Sequence, residues 1–441
     1  MRESRYNIWV DDGPRSYVYN GVSGRVVAVP AGQRGPIGGY LTGDDGAPAD
    51  PEVLHALARG QMILPDDLDE LDLLRERYAA TRRNPHRFHL TVVTSLGCNF
   101  DCPYCFEAKH PSLLTDDVQR RLLELVDRRL PAIRELAVLW YGGEPLVGLP
   151  ALLALSGELL TRAAAAGVAY RAAIITNGYL LTEPVARRLR DRAVTVAQVG
   201  LDGPPEVHDA RRPLAGGRGT FREILANVVA VAGILDVTVR VNLDTGNLAS
   251  VPRLLRILAD AGLAGRVAVS PGHVLPARVN LLAPSAGYAT ECLTRPAFAE
   301  AEQRFLELAG SLGFATPPPP APIGAPCTAV RDNELVIGSR GEIYKCTETV
   351  GDPNEVIGNL RDWPAAGDRL SKWLTYDPFS DPECRTCVAL PVCMGGCAYH
   401  AMNGSLADSR CSTFRFRHRE QALRLIARQK DATEVRPRRP A

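Results

Sequence analysis

The chain lacks long apolar runs, any marked excess of charge and an even cysteine count, and each absence removes a class of protein. Its opening, MRESRYNIWVDDG, is charged and holds no apolar stretch of signal-peptide length. No continuous run of about 18 apolar residues follows, the length a membrane-crossing helix needs. Together these predict a cytoplasmic protein with no membrane association, in a reducing compartment where thiols favour metals over disulfides. The formal net charge is +1 over 441 residues, so nothing global favours nucleic acid or an anionic membrane. Locally, Asp44 to Glu76 is acidic, and Arg410 to Arg439 is arginine-rich and reads as a solvated, frayed terminus. Eleven cysteines cannot all pair with one another, which argues against a complete disulfide framework. The hydrophobic fraction of 46% marks a globular chain, long enough for about three domains.

What the chain does have is cysteine in two spaced groups. The first is Cys98, Cys102 and Cys105, a C-x3-C-x2-C pattern. Three thiolates so spaced can hold three corners of an iron–sulfur cubane and leave one iron open. The second group is Cys327, Cys346, Cys384, Cys387, Cys393, Cys397 and Cys411. Thiolates are soft ligands, suited to iron–sulfur clusters or to zinc. A zinc site would want a fourth Cys or His at comparable spacing, and His110 is the nearest candidate to the first group. Cys292 stands apart from both groups and reads as a buried, inert thiol.

The apolar periodicity divides the chain. Residues 1–85 alternate short strand-like runs (Tyr6–Val10, Tyr17–Asn20, Gly24–Val29) with Gly and Pro, then show helical patterns at Pro51–Arg59 and Asp66–Arg82. This predicts a small α+β module. Residues 86–315 alternate β-rich runs with amphipathic helices. The strands are expected at His89–Thr94, Leu136–Tyr141, Ala169–Thr176, Val194–Leu201, Val237–Leu243 and Val267–Val274. Helices are expected near 114–130, 150–166, 182–193, 219–234 and 248–263. Six such units predict an α/β fold with a parallel sheet, open or curled into a partial (β/α)6 barrel. A helical stretch, Tyr288–Leu312, leads to a proline run at Thr316–Pro322 that reads as a linker. Residues 316–415 then predict a loop-rich domain stapled by metal clusters, and 416–441 a C-terminal helix with a basic tail.

Cys98 follows the first expected barrel strand, at the strand end where α/β barrels place active sites. Here the residues resemble the radical S-adenosylmethionine (SAM) superfamily, whose signature is C-x3-C-x-aromatic-C. The resemblance implies that Cys98, Cys102 and Cys105 hold a 4Fe–4S cluster and that the Tyr104 ring lies against the adenine of SAM. It implies that the cluster and SAM together generate a 5′-deoxyadenosyl radical. Gly142-Gly143-Glu144-Pro145 ends the second strand, where the family keeps a GGEP motif, so Glu144 is expected to accept from the SAM amine. Asn177, Asp202, Arg240 and Asn242 match segments that face SAM in the family; Arg240 and Asn242 lie two apart, hence on one strand face. One departure is visible. Relatives often carry a serine for the SAM carboxylate directly before Leu-Asp-Gly, and Gly200 stands there, so another donor must compensate. His208-Asp209 and Arg211-Arg212 are read as loop-ordering hydrogen bonders.

The second cysteine group resembles the SPASM domain of radical SAM enzymes, interval by interval. The resemblance implies an outer auxiliary 4Fe–4S cluster on Cys384, Cys387, Cys393 and Cys411. Cys327, Cys346 and Cys397 would then hold an inner one with three protein thiolates. Within that class the chain resembles the maturases of ribosomally made peptides. Such an enzyme implies a precursor peptide with a leader as substrate and a reducing partner such as flavodoxin or ferredoxin. It implies an oxidative change, a thioether or C–C crosslink, and residues 1–85 are the candidate leader-recognition element, taking up a peptide along a sheet edge. An anaerobic sulfatase-maturating, formylglycine-forming enzyme is the alternative. Those relatives place an aspartate directly after the G-x4-C cysteine, where this chain has Thr347 and then Glu348. A zinc-stabilised binding protein without redox chemistry is the alternative of another class.

Overall fold

The computed structural model describes residues 1–434 apart from 14, 45–47, 276–282, 289–290, 364–366 and 405–408. The end of the expected basic tail, 435–441, and residues 289–290 of the expected helical stretch lie outside these. The chain forms two compact units. The first is Met1–Arg82 with Pro318–Pro326 and Asp377–Ala441; the second is Arg83–Pro317 with Cys327–Tyr376. The segment expected as one cysteine-rich domain, 316–415, is therefore divided between them.

In the first unit, β1 (Arg2–Glu3) pairs with β5 (Ile63–Leu64), while β2 (Asn7–Asp12), β3 (Arg15–Asn20) and β4 (Val26–Val29) form an antiparallel meander with β3 central. Side chains alternate across β3, and both faces are covered. Tyr17 and Tyr19 join Ile8 and Val10 in a core with Val392, Phe414 and Ile426 of the C-terminal segment. Val18 points the other way and packs with Val29, Ile37, Val53, Leu57 and Met62. The second core is supplied by α1 (Arg34–Thr42) and α2 (Pro51–Arg59), followed by α3 (Glu70–Arg82). α2 begins where its sequence says it should: the Asp50 side chain accepts from Glu52 N at 2.8 Å, with Pro51 in the first turn. Asn20 latches the β3–β4 turn, donating to Ser4, Asn7 and Gln61 while accepting from Val22 N and Ser23 N.

The second unit carries the expected barrel. Its parallel strands are β6 (Arg87–Ser95), β7 (Glu135–Gly142), β8 (Ala169–Thr176), β9 (Val194–Gly200), β10 (Asp236–Leu243) and β11 (Ala268–His273), side by side in that order. Between them run α4 (Asp116–Arg129), α5 (Leu149–Ala165), α6 (Glu183–Arg190), α7 (Pro205–Arg211), α8 (Phe221–Val231) and α9 (Val251–Asp260). Because neighbours in sequence are neighbours in the sheet, all six C-terminal strand ends share one edge. The segment Pro145–Ala165 is long and apolar enough to cross a membrane by length and composition alone. Here α5 turns that surface inward, burying Leu152, Leu153, Leu155 and Leu159. The expected helix at 288–312 is α10 (Arg295–Ser311), started by Thr294, whose hydroxyl accepts from Ala297 N.

The sheet does not stop at six strands. β12 (Glu334–Ile337) adds parallel to β6, and β13 (Glu342–Tyr344) and β14 (Gly358–Asn359) follow antiparallel, making nine. Val336, Tyr344 and Val350 pack with Val93, Leu96 and Tyr141, so these late strands buttress the end of β6 and the loop leaving it. Val336, fully buried and a member of this cluster, is expected to report this. Val336→Ala should cost about 1.5–3 kcal/mol, measured as a lower denaturation midpoint.

Candidate active site

The loop after β6 is held on both sides. Leu96 N donates to Ser112 Oγ at 3.0 Å, Asp101 N to Pro213 O at 2.9 Å, and Asn177 Nδ2 to Asn99 Oδ1 at 2.7 Å. So fixed, Cys98, Cys102 and Cys105 line one side of a cavity of about 370 Å³, together with Phe100 and Tyr104. Burial pushes the Cys98 thiol up to about 11 and the Cys105 thiol up to about 12, and raises Cys102 as well. The three cysteines are free. Three soft donors on one cavity wall, with open space beside them, fit an iron–sulfur cluster bearing an exchangeable position. Among the described residues no three His, Cys, Asp or Glu side chains converge as the ligands of a single ion would.

Gly142 and Gly143 form the adjoining wall, and the structure shows why they are glycines. A Cβ on Gly143 would stand 2.8 Å from the carbonyl oxygens of both Leu96 and Gly97, and one on Gly142 2.2 Å from Ser95 O. Gly142 also has φ +137°, open to glycine almost alone. Glu144 departs from expectation. It is fully buried and does not line the cavity. Its Oε1 accepts from Leu146 N (2.9 Å) and Thr176 Oγ1 (2.7 Å), and its Oε2 from Asn177 N (2.7 Å). Burial raises its carboxyl despite these bonds. Its carboxylate thus ties the end of β7 to the end of β8 and positions Thr176 and Asn177, which do face the cavity. A strand-end carboxylate with nearby backbone N–H groups satisfies them first.

Asp202 is likewise buried and outside the cavity lining. Its carboxylate accepts from the Tyr104 hydroxyl and from Asn242 N (2.9 Å). Burial pushes Asp202 up, but the Arg212 and Arg211 guanidiniums outweigh it and hold the carboxyl below its ordinary value. His208 accepts from Asp202 N at Nδ1, so Nε2 carries the proton toward Thr220 Oγ1, which donates to Arg212 O. Burial and the nearby guanidiniums lower His208 to about 3. Asp209 Oδ1 accepts from Thr220 N and Phe221 N at 2.8 Å each and starts α8. His208, Asp209 and Arg211 lie on α7 and not in the expected loop, and they tie this helix to Asp202, Asp244 and the start of α8. Arg212 also reaches the cavity. Arg240 and Asn242 share a face, as their spacing requires, and both line the cavity, with Arg240 Nε donating to Asn242 Oδ1 at 3.0 Å.

Several lining residues were not singled out by sequence. Glu107 is 4% exposed, with Oε2 lacking any partner, and burial lifts its carboxyl to about 7 although the Tyr141 hydroxyl donates to it. Glu348, noted only as a neighbour of Thr347, also faces the cavity and is raised to about 7 by burial, with Arg240 opposing. Tyr141, Gln198 and His273 also line the cavity. The only sequence signal for Glu107 is its place two residues beyond Cys105. Cys292 is half-buried, donates toward Tyr288 O at 3.5 Å and is not among the lining residues.

In the first unit, Cys384, Cys387, Cys393 and Cys411 line a common small pocket. Asp381 caps the short helix carrying Cys384, accepting from Glu383 N and Cys384 N, and Arg415 Nη1 donates to Cys411 Sγ at 3.2 Å. Met394, Gly395 and Gly396 all have positive φ, and a Cβ on Gly396 would collide with Arg410 O at 1.8 Å. That turn separates Cys393, in the pocket, from Cys397, which is not in its lining. Cys327 and Cys346 belong to the second unit, flanking β12 and β13.

Residues 92–258 match the Radical SAM superfamily. Over 156 residues the chain is 29% identical to the serine-type anaerobic sulfatase-maturating enzyme of Klebsiella pneumoniae, covering 34% of this chain and 39% of that protein. Over 150 residues it is 31% identical to the GTP 3′,8-cyclase of Parasynechococcus marenigrum, covering 32% and 42%. The chain thus matches about two-fifths of the length of these curated relatives. Two solved structures share its fold at low identity. One, anSMEcpe with bound AdoMet, has TM-score 0.58 and 16% identity, covering 79% of this chain and 96% of that one. The other, SuiB of Streptococcus suis, has TM-score 0.53 and 14% identity, covering 93% and 100%.

The buried, neutral His208 gives stability a definite pH dependence. The unfolded side chain takes up a proton near 6.5 while the folded one does so only at about 3. Stability therefore falls as pH drops through that window, by up to about 1.4 kcal/mol per pH unit from this group, and is unaffected above it. Glu334, held down to about 2 by His89 and Arg331, loses its contribution as pH falls from about 4.5. His208→Asn keeps an acceptor for Asp202 N. Its denaturation midpoint should vary less than wild type between pH 6.5 and 4.5.

Proposed function

We propose that the chain, whose residues 92–258 are a radical SAM domain, is a SPASM-type maturase that oxidatively modifies a ribosomal precursor peptide. The observation that carries this is the C-x3-C-x2-C trio lining a cavity at the C-terminal edge of the half-barrel. When bound, a 4Fe–4S cluster and SAM supply a 5′-deoxyadenosyl radical able to take a hydrogen atom from the peptide. Cys98, Cys102 and Cys105 ligate the cluster. The Gly142-Gly143 backbone, Asn177, Arg240 and Asn242 form the wall against SAM, and the Tyr104 ring its aromatic side. Glu144 and Asp202 act as positioning residues for that wall. Cys384, Cys387, Cys393 and Cys411 would hold the outer auxiliary cluster, and Cys327, Cys346 and Cys397 the inner one, which would supply a one-electron acceptor for the oxidation. A flavodoxin or ferredoxin is the reductant.

The peptide reading is supported by the N-terminal module. Among the described residues β2 and β4 are both edges of its sheet, each pairing with β3 alone, so an extended leader can add as a strand. SuiB, whose fold covers 93% of this chain against 79% for anSMEcpe, has been seen bound to its precursor peptide SuiA. A thioether or C–C crosslink is the expected product. One observation favours formylglycine formation as a second reading: Glu348 faces the cavity close to where sulfatase maturases carry their aspartate.

Anaerobically reconstituted protein should bind about twelve irons, three cubanes' worth, and release 5′-deoxyadenosine from SAM under reducing conditions. Cys98→Ala should abolish that release. Cys384→Ala should retain part of it while peptide product, lighter by two hydrogens in mass spectrometry, is lost. Release of 5′-deoxyadenosine by the Cys98→Ala protein would sink the assignment, and turnover of a sulfatase peptide in place of a precursor peptide would favour the second reading.

A further inference from the structure

The small pocket lined by Cys384, Cys387, Cys393 and Cys411 has a cation in its wall, Arg415. This residue stands in the first turn of the C-terminal helix (Phe414–Glu434), four positions beyond Cys411. The turn ahead of that helix, where Phe414 N donates to Ser412 Oγ at 3.2 Å and Arg415 N to Ser412 O at 3.1 Å, brings its side chain back over the cysteine. Nη1 donates to Cys411 Sγ at 3.2 Å. The donor is a permanent cation, so the bond is charge-assisted. The Cys98 sulfur, by comparison, accepts from neutral groups, Phe100 N at 3.4 Å and Asn177 Nδ2 at 4.0 Å.

The acid that faces this guanidinium holds it loosely. Glu383 Oε2 stands 3.4 Å from Arg415 Nη1, and the Glu383 side chain is 64% exposed. Arg410 shares Glu383, at 3.9 Å, but is used differently. Its Nη1 pairs at 2.6 Å with Asp381, which accepts from Glu383 N and Cys384 N. Arg410 thus fixes the short helix that carries Cys384 (Pro382–Thr386), while Arg415 addresses a sulfur directly. A thiolate-ligated cluster gains one negative charge when it takes up an electron. A fixed positive charge bonded to a ligating sulfur therefore stabilises the reduced form more than the oxidised one. About a third of the Arg415 side chain is exposed, which weakens the effect by screening without abolishing it.

We propose that Arg415, acting through Cys411, raises the reduction potential of the outer auxiliary cluster, with Glu383 as the acid that moderates it. This rests on the reading of the four cysteines as that cluster's ligands. The step it favours is the addition of one electron to the cluster, with no bond made or broken and no proton moved.

The test is an anaerobic redox titration of reconstituted full-length protein, followed by EPR. The signal missing from Cys384→Ala protein identifies the outer cluster. Arg415→Gln should move the midpoint of that signal downward, by about a tenfold change in the reduced-to-oxidised ratio at fixed potential, or about 59 mV for one electron. The other signals should stay in place. Arg415→Lys, which keeps the charge and loses the fork, should recover part of the shift. Glu383→Gln should move the midpoint upward, a change of sign that a merely structural disturbance would not give. High salt should shrink the Arg415→Gln shift. Iron content and Tm near wild type show that the variants fold and load. An unchanged outer midpoint in Arg415→Gln, or an equal displacement of every signal, would overturn the inference and leave the cluster assignment standing. The same set of signals in wild type and Cys384→Ala protein would remove both.

Discussion

The site depends on two stretches of backbone lying in contact, the Gly142-Gly143 end of β7 and the Ser95–Gly97 exit of β6. Any Cβ at either glycine would meet a carbonyl oxygen at 2.8 Å or less, so the whole edge would have to open. That contact fixes where the cysteine loop leaves the sheet. It also brings Glu144 N onto Gly97 O and Gly143 N onto Ser95 O, which aims the Glu144 carboxylate at the end of β8. One close approach thereby sets the positions of three strand ends. The buttress of Val336, Tyr344 and Val350 against Val93, Leu96 and Tyr141 presses on the same corner from the side of β12.

A second constraint is electrostatic. Asp202 has no solvent exposure, and its carboxylate is tolerated because Tyr104, Asn242 N and two guanidiniums surround it. Removing one member of such a buried set costs far more than the set contributes as a whole, because the survivors keep their charge without compensation. The knot joins the cysteine loop, through Tyr104, to β9 and β10, and through His208 and Thr220 to the start of α8. Loop order and cavity charge are therefore one property here. Any change in Asp202 would move Tyr104 and Arg212 together.

Much of this was legible in the sequence because it is local. The six barrel strands lie within two residues of their expected bounds, since each is a compact apolar run between amphipathic helices. α2 begins at Pro51 because Asp50 can cap it. The short strands β12–β14 were not legible: four, three and two residues give no period to read, and they exist only because β6 offers an open edge. Nor does the sequence reveal that Glu144 and Asp202 turn away from the cavity. Both sit in motifs that point to ligand contact, and their true partners, Asn177 N and Asn242 N, are backbone groups 33 and 40 residues away. Motif spacing locates a carboxylate at a strand end; only the surrounding donors decide which way it faces.

The thiols show the limit of reading ligands from spacing alone. Each cysteine of the first trio is raised by burial, two of them to about 11 and 12, so the empty protein holds them as neutral thiols well above physiological pH. Metal must displace those protons, and the resulting negative charge then lies in a wall that already contains Arg212, close enough to Cys102 to oppose the rise that burial imposes on its thiol. Glu107 and Glu348, both lifted to about 7 by the same burial, are each only about half ionised at neutral pH. The cavity thus holds opposing charges before anything enters it, with Glu107 beside Cys105 and the Arg212 guanidinium beside Cys102. Spacing places the three sulfurs, and burial with Arg212 makes their wall a place where anionic charge can be held.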